Sequence, residues 1–379
     1  MSEYQYYEFQ AIDRPLDEAD REALRSLSTR AQITATSFTN HYEWGDFKGS
    51  PRKLMERWFD LHVYLANWGT HQLMIRLPKR LVDHDWLDAL MMCTDLMQII
   101  KAKDNLILNL CDDGEDALDY DWDDGSGWLG ALAPLRADLL SGDWRLAYLV
   151  WLTGVENGNV RDEALEPLPG IAPLNGGLSA FADFFRIDSD LVQAAAEGPG
   201  AATHIDISPE SLRAFVKSIP ALEQTALLQR VAEGDPHVAA DLRSRFRKAA
   251  SRQDPPMSHT LRSAAELRDR ATAIETARKA AAAERRKAER LKQEQLAERA
   301  KQARLTALRK RGADVWQEVE TEVQRRNASG YDRAATLIFD LRTVADEDGA
   351  MAEFANRLNA LRKRHERKQR FIERLGTLT

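Results

Sequence analysis

From His259 to Arg311 the chain contains neither proline nor glycine, and Ala, Glu, Lys and Arg dominate. These residues lose little rotamer freedom in a helix and carry no breaker, so the run is restricted to one uninterrupted helix. At ~1.5 Å per residue its length is on the order of 80 Å. Its apolar seam is thin: Leu267, Ala271, Ile274, Ala281, Ala288 and Leu291 recur at spacings near three, four and seven. Alanine at so many seam positions buries too little area for a tight coiled coil. Pairs such as Glu266–Arg270 and Glu275–Lys279, four residues apart, support the helix without a neighbour. Gln253-Asp-Pro-Pro-Met257 breaks the chain before it, and Gly312 ends it.

The same run organises the charge. The net charge of −7 conceals a split, because residues 1–250 hold 24 Lys+Arg against 40 Asp+Glu. Residues 251–312 hold 17 against 8, and residues 313–379 balance at 12 against 12. An acidic body thus carries one basic helix. The most acidic stretch is CDDGEDALDYDWDDGSGW, Cys111 to Trp128, with eight acids and no base.

Upstream, hydrophobic periodicity alternates between two and 3.6. Tyr4–Ile12, Gln32–Tyr42, Thr70–Leu77, Leu96–Ile100 and Leu106–Leu110 read as strands, the last two as a hairpin around Ala102-Lys103-Asp104. Helices are expected over 16–27, over 83–92, and from Ser50-Pro51 with Leu54, Trp58, Leu61 and Leu65 on one face. Beyond Trp128 the strand signals fade into short helices, interrupted by the Pro/Gly-rich Glu166–Gly177, read as a surface linker or strap. The expected fold class is α+β. An α/β sandwich-like module over 1–111 is followed by an acidic connection over 112–127 and a helical domain over 128–252. The long basic charged helix then occupies 258–312, and a C-terminal helical hairpin or bundle occupies 313–379, read as three helices with Gly330 and Gly349 at the breaks.

Candidate chemistry is sparse. Asp119, Asp121 and Asp123 occupy the first three ligand positions of a calcium loop. Asp124 then stands where the turn needs Gly, and Gly130 where a bidentate Glu is needed. His41 and Glu43 are expected on one strand face, with Asp46 just past its end, and together they form a candidate proton-transfer group. In the alternative, Tyr42 and Trp44 pack inward and the polar residues are solvated. H-x-E is also the order found in zinc deaminases, but the P-C-x-x-C partner segment is missing. His62, His71 and His84 lack ligand spacing. Cys93 and Cys111 are too few for a disulfide framework or a Cys-based zinc site. No phosphate-cradling glycine loop or nucleophile elbow occurs, so no cofactor is expected. On the long helix, Arg285, Arg286, Lys287, Arg290 and Lys292 form one basic cluster. Arg304, Arg309, Lys310 and Arg311 form a second. Either could contact phosphates. Glu284, Glu289, Glu294 and Glu298 interleave with them, and no aromatic residue lies between 259 and 311 to stack on bases.

Two segments resemble known families. Asp314-Val-Trp-Gln-Glu-Val-Glu320, Tyr331–Arg342 and Leu361–Lys368 resemble the helical tail of bacterial SWIM zinc-finger proteins, over about sixty residues. The zinc motif of that family, C-x-C followed by C-x-H, is absent, so no zinc role transfers. Tyr6–Leu16 and Gly127–Arg136 look like a family of uncharacterised bacterial proteins. That resemblance implies a bacterial cytoplasmic origin and no particular activity.

The leading expectation is a cytoplasmic protein–protein interaction or adaptor protein, with a partner or a second copy engaged through 258–379. The alternatives are nucleic-acid association through the two basic clusters and an enzyme built on His41, Glu43 and Asp46. No apolar run approaches the ~18 residues of a membrane span, so no membrane partner is expected.

Overall fold

Seven strands form one antiparallel sheet in the order β2-β3-β1-β4-β5-β7-β6. They are β1 Gln5–Gln10, β2 Gln32–Ile33, β3 Ser37–Tyr42, β4 Leu61–Ala66, β5 Thr70–Pro78, β6 Met97–Lys101 and β7 Asn105–Asp113. The computed structural model describes residues 3–82, 87, 90, 93–114, 123–198, 208–253 and 261–376, without the side chains of 251–253. The helix expected over 83–92 lies largely outside the described residues.

Both faces of the sheet are covered. Leu61, Val63 and Leu65 of β4, Leu73, Ile75 and Leu77 of β5, and Leu106, Leu108 and Leu110 of β7 enter one core. The alternate residues Phe9, Met74 and Ile107 enter a second core, beneath the helices Glu18–Leu27 and Pro51–Arg57. This double burial explains the strand that periodicity misses. Leu61 and Leu65 do not continue the helix opened at Ser50-Pro51, which ends at Arg57. They belong to β4, whose LHVYLA is apolar on alternate positions and nearly buried throughout. A strand buried on both faces cannot be told from a helix by spacing alone. The segment expected as one strand over Gln32–Tyr42 is two strands, β2 and β3, paired with each other.

The helices over 128–196 form no second module. Leu129, Leu132, Leu135, Tyr148, Leu149 and Phe181 share the first core with the strands, so the boundary expected at 112–127 separates no cores. Gly154 permits close approach, since a Cβ there would lie 2.0 Å from the Cys93 carbonyl oxygen. The strap Glu166–Gly177 is not confined to the surface, because Glu166 and Ile171 are buried.

A buried polar knot ties sheet and helices together. Asp60 accepts from the backbone N–H of Ile12 at 2.6 Å and of Asp13 at 2.9 Å, and from Arg76 Nη2 at 2.8 Å. Arg136, from the helix Pro134–Leu140, donates to Asp13 at 2.9 Å and to Asp60 at 3.2 Å. His237 Nε2 closes the knot on Asp13 at 3.1 Å. Burial disfavours the Asp13 carboxylate, yet the hydrogen bonds from His237 and Arg136 hold its pKa well below the usual range.

The chain divides into two compact units, Met1–Ala277 and Arg278–Thr379. The expected long helix is a single element, Ala264–Arg311. Its start is fixed to the first unit. Ser263 and Glu266 form a reciprocal N-terminal cap, with Ser263 N–H donating to Glu266 at 2.7 Å and Glu266 N–H to Ser263 Oγ at 3.2 Å. Ser263 also bridges Leu165 in antiparallel fashion. Arg262 Nη2 donates to the buried Glu166 at 2.8 Å, and the Tyr148 hydroxyl donates to the same carboxylate. Ala264, Leu267, Ala271 and Ile274 enter the first core. The first turns of the helix expected as a separate element therefore belong to the acidic body.

In the second unit, the helices Asp314–Gln324, Ala328–Glu347, Met351–Arg364 and Gln369–Arg374 enclose Val319, Val323, Ile338, Phe354, Leu358 and Phe371. Four helices stand where three are expected. Gly330 lies inside the second one, where its N–H is capped by Asn327, while Gly349, at φ +69°, does mark a break.

Candidate interaction surface

The long helix changes character along its length. Leu267 and Ile274 are buried in the first unit and Leu305 and Leu308 are buried in the second, while every residue from 276 to 304 is exposed. Within that bare stretch Lys287 lies 4.0 Å from Glu284, and Arg290 pairs with Glu294 at 2.8 Å. Arg285, Arg286 and Lys292 make no hydrogen bond or ion pair among the described residues, and the same holds for Arg299 and Lys301.

The second basic cluster has a different role. Arg304 Nη2 donates to Asp340 at 2.8 Å, Arg311 Nη2 to Glu318 at 2.6 Å, and Arg309 pairs with Glu347 and Asp348. These arginines fasten the end of the helix to the helices that follow. Lys310 is exposed on the same turn. Both clusters are exposed, but only the first keeps arginines, Arg285 and Arg286, without an ion pair among the described residues.

Beside this anchored end lies an apolar groove that sequence reasoning missed. Two adjoining cavities of about 330 and 260 Å³ meet at Trp316 and Arg357. Leu308, Leu341, Val344 and Phe354 line the first and Leu361 the second. Arg309, Asp348 and Glu353 stand around the first, with Glu320 and Arg364 around the second. Glu320 is itself held by His365 Nε2 at 2.6 Å. Burial works against the Glu320 carboxylate, but His365 and Arg364 keep its pKa below the ordinary value. An apolar floor between helices with a charged rim has the form of a helix-in-groove site. A signal in the sequence is Trp316, the one tryptophan of residues 313–379.

The expected proton-transfer group is not assembled. β3 ends at Tyr42, so Glu43 does not share a strand face with His41. His41 is exposed and stacks on Tyr4 at 6.3 Å, while Asp46 accepts from Gln5 Nε2 at 3.2 Å. No hydrogen bond or ion pair among the described residues joins His41, Glu43 and Asp46. Nor does Trp44 pack inward, being 78% exposed.

In the acidic stretch, Asp119 and Asp121 lie outside the described residues. Asp123 spends its carboxylate locally, accepting from Gly125 N–H at 2.8 Å and Trp128 Nε1 at 2.6 Å. Among the described residues no group of three or more His, Cys, Asp or Glu side chains is placed to hold a metal ion. Asp112 and Asp113 instead line a polar cleft of about 540 Å³ with Asp95, Glu156, Cys111 and Arg186. Burial, reinforced by Asp113 and Asp112, pushes the Cys111 thiol up to about 12, which leaves it a poor nucleophile. His71, beneath the cleft, makes a 2.8 Å hydrogen bond through Nδ1 to the Gly69 carbonyl, and its pKa is lowered by burial. His62 is fully buried, with Nδ1 on the Glu8 carbonyl at 2.9 Å and Nε2 unpartnered, and burial lowers its pKa to about 3. Both are core histidines.

No protein-family model, curated protein or solved structure matches the chain. No described helix is long and apolar enough to cross a membrane.

Proposed function

We propose that the protein is a cytoplasmic interaction or adaptor protein whose partner-binding part is Arg278–Thr379. The observation that carries this reading is the helix Ala264–Arg311, with both ends in hydrophobic cores and every residue from 276 to 304 exposed. The stretch from 276 to 304 contributes no core to either unit. What it contributes is a continuous, helically ordered surface available to another molecule. The groove at Trp316 adds an apolar seat in the same unit.

The test is affinity capture with quantitative mass spectrometry, using the full chain and a chain ending at Ala277. The cut belongs at 277, because removal from 258 onward would strip Arg262, Leu267 and Ile274 from the first unit. The expected result is a partner retained by the full chain and lost from the shorter one. A partner held equally by the shorter chain would place the interaction surface on the acidic unit and overturn the assignment.

A further inference from the structure

Resting on that reading, we propose that the bare stretch of the long helix binds the phosphate backbone of duplex nucleic acid, without sequence preference. Arg285, Lys292 and Arg299 are seven residues apart. Each step of seven rotates an α-helix by only about 20° and rises about 10.5 Å, so the three form a nearly straight basic row. Arg286 lies a quarter-turn from that row. Glu294 and Glu298 point about 160° and 120° away from the middle of the row, whereas Glu289 and Glu284, about 60° and 80° from it, flank the row on either side. The row bases make no ion pair among the described residues, unlike Arg304, Arg309 and Arg311.

The chemistry of the row selects among anionic partners. An anionic membrane surface requires a broad apolar face on the helix. Here the exposed leucines are Leu291 and Leu296, which point about 140° apart. A partner helix would need an apolar seam, but Glu284, Gln295, Glu298 and Gln302 interrupt the one that Ala281, Ala288 and Leu291 begin. Single-stranded nucleic acid is held by stacking on aromatics, and this stretch has none. Phosphates along a duplex need only spaced, mobile cations, which Arg and Lys supply at full exposure.

The experiment measures fluorescence polarisation of the full-length chain with labelled mixed-sequence DNA and RNA duplexes. A second duplex of unrelated sequence and immobilised poly-glutamate serve as comparisons. Both duplex sequences should bind alike, with log affinity falling against log salt at a slope of about −3 for three phosphate contacts. The triple variant R285Q/K292Q/R299Q should bring that slope close to zero, while its circular dichroism stays that of the parent. R285K/R299K should restore binding. Absence of duplex binding near 50 mM salt, or a triple variant that binds like the parent, would overturn the proposal. Retention on poly-glutamate without duplex binding would overturn it in favour of an acidic protein partner. If duplex binding fails but the captured protein still depends on 278–379, only the nucleic-acid proposal falls and the adaptor reading stands.

Discussion

The two units use charge in opposite ways. Met1–Ala277 holds 28 Lys+Arg against 44 Asp+Glu, a net −16, whereas Arg278–Thr379 holds 25 against 16, a net +9. The acidic unit nevertheless buries ion pairs: Arg76 with Asp60, Arg136 with Asp13, Arg145 with Asp143, and Arg262 with Glu166. The basic unit keeps most of its pairs near solvent, as in Arg309–Glu347, Arg364–Glu320 and Arg374–Asp332. Buried pairs specify one arrangement, because losing either member strands a desolvated charge. Surface pairs contribute little each and are screened by salt. Net charge therefore says nothing about where electrostatics stabilise the fold. The more unbalanced unit by count is the one whose charges are paired inside.

The largest expected effect comes from the knot. Asp60→Ala removes the acceptor shared by Arg76, Arg136 and two backbone N–H groups. Destabilisation of the first unit by about 3–5 kcal/mol is expected, read by calorimetry as a lowered first transition with the second unit's transition unmoved. Equal shifts in both transitions would mean that the units do not unfold separately.

Next is Leu267→Ala, with an expected cost of about 3 kcal/mol to the first unit, against Leu305→Ala, which should lower only the second. Both leucines are fully buried on the same helix, in different units. If both substitutions moved one transition, the division at Ala277 would be misplaced.

Acid distinguishes the units by a different route. His62 is neutral and buried with its pKa near 3, while the unfolded chain binds the proton near 6.5. A depressed folded pKa contributes stability that is complete above 6.5 and is lost as pH falls toward 3. At pH 4.5 the loss is on the order of 3 kcal/mol, so acid should unfold the first unit before the second. His62→Phe, which keeps an aromatic ring to stack on Phe9, should shift that acid midpoint downward. An unchanged midpoint would assign the acid sensitivity to the carboxylates of the knot instead.

These features were unequally legible in the sequence. The long helix was plain because composition alone restricts it, and the β6–β7 hairpin because its turn is flanked by apolar runs. β4 was hidden because Leu61 and Leu65 also fall at helical spacing from Leu54, so its period of two competed with one of 3.6. Its neighbouring Trp58 then supplied a false helical register. The knot joins residues 13, 60, 76, 136 and 237, and nothing local marks an aspartate that will be buried. The candidate surface was half legible. The bases of the exposed row were visible, but the partners of Arg304, Arg309 and Arg311 lie 36, 38 and 7 residues away and needed the fold. His41, Glu43 and Asp46 were close in sequence, yet the end of β3 at Tyr42 took them out of one face.

The smallest expected effect is the most informative about the bare helix. Leu291 is 55% exposed and is the one large aliphatic residue on the seam between Ala281 and Gln302. Leu291→Ala removes no buried area from either unit and places the best helix former at an exposed site, so neither transition should move by more than about 0.5 kcal/mol. The outcome should also be the same at every protein concentration. If two copies paired along this seam, Leu291 would be the central buried contact, and truncating it would cost about 2–5 kcal/mol in a concentration-dependent way. Indifference to Leu291→Ala, with a duplex affinity that collapses in R285Q/K292Q/R299Q, would locate the function of the helix in its charges and not in its seam.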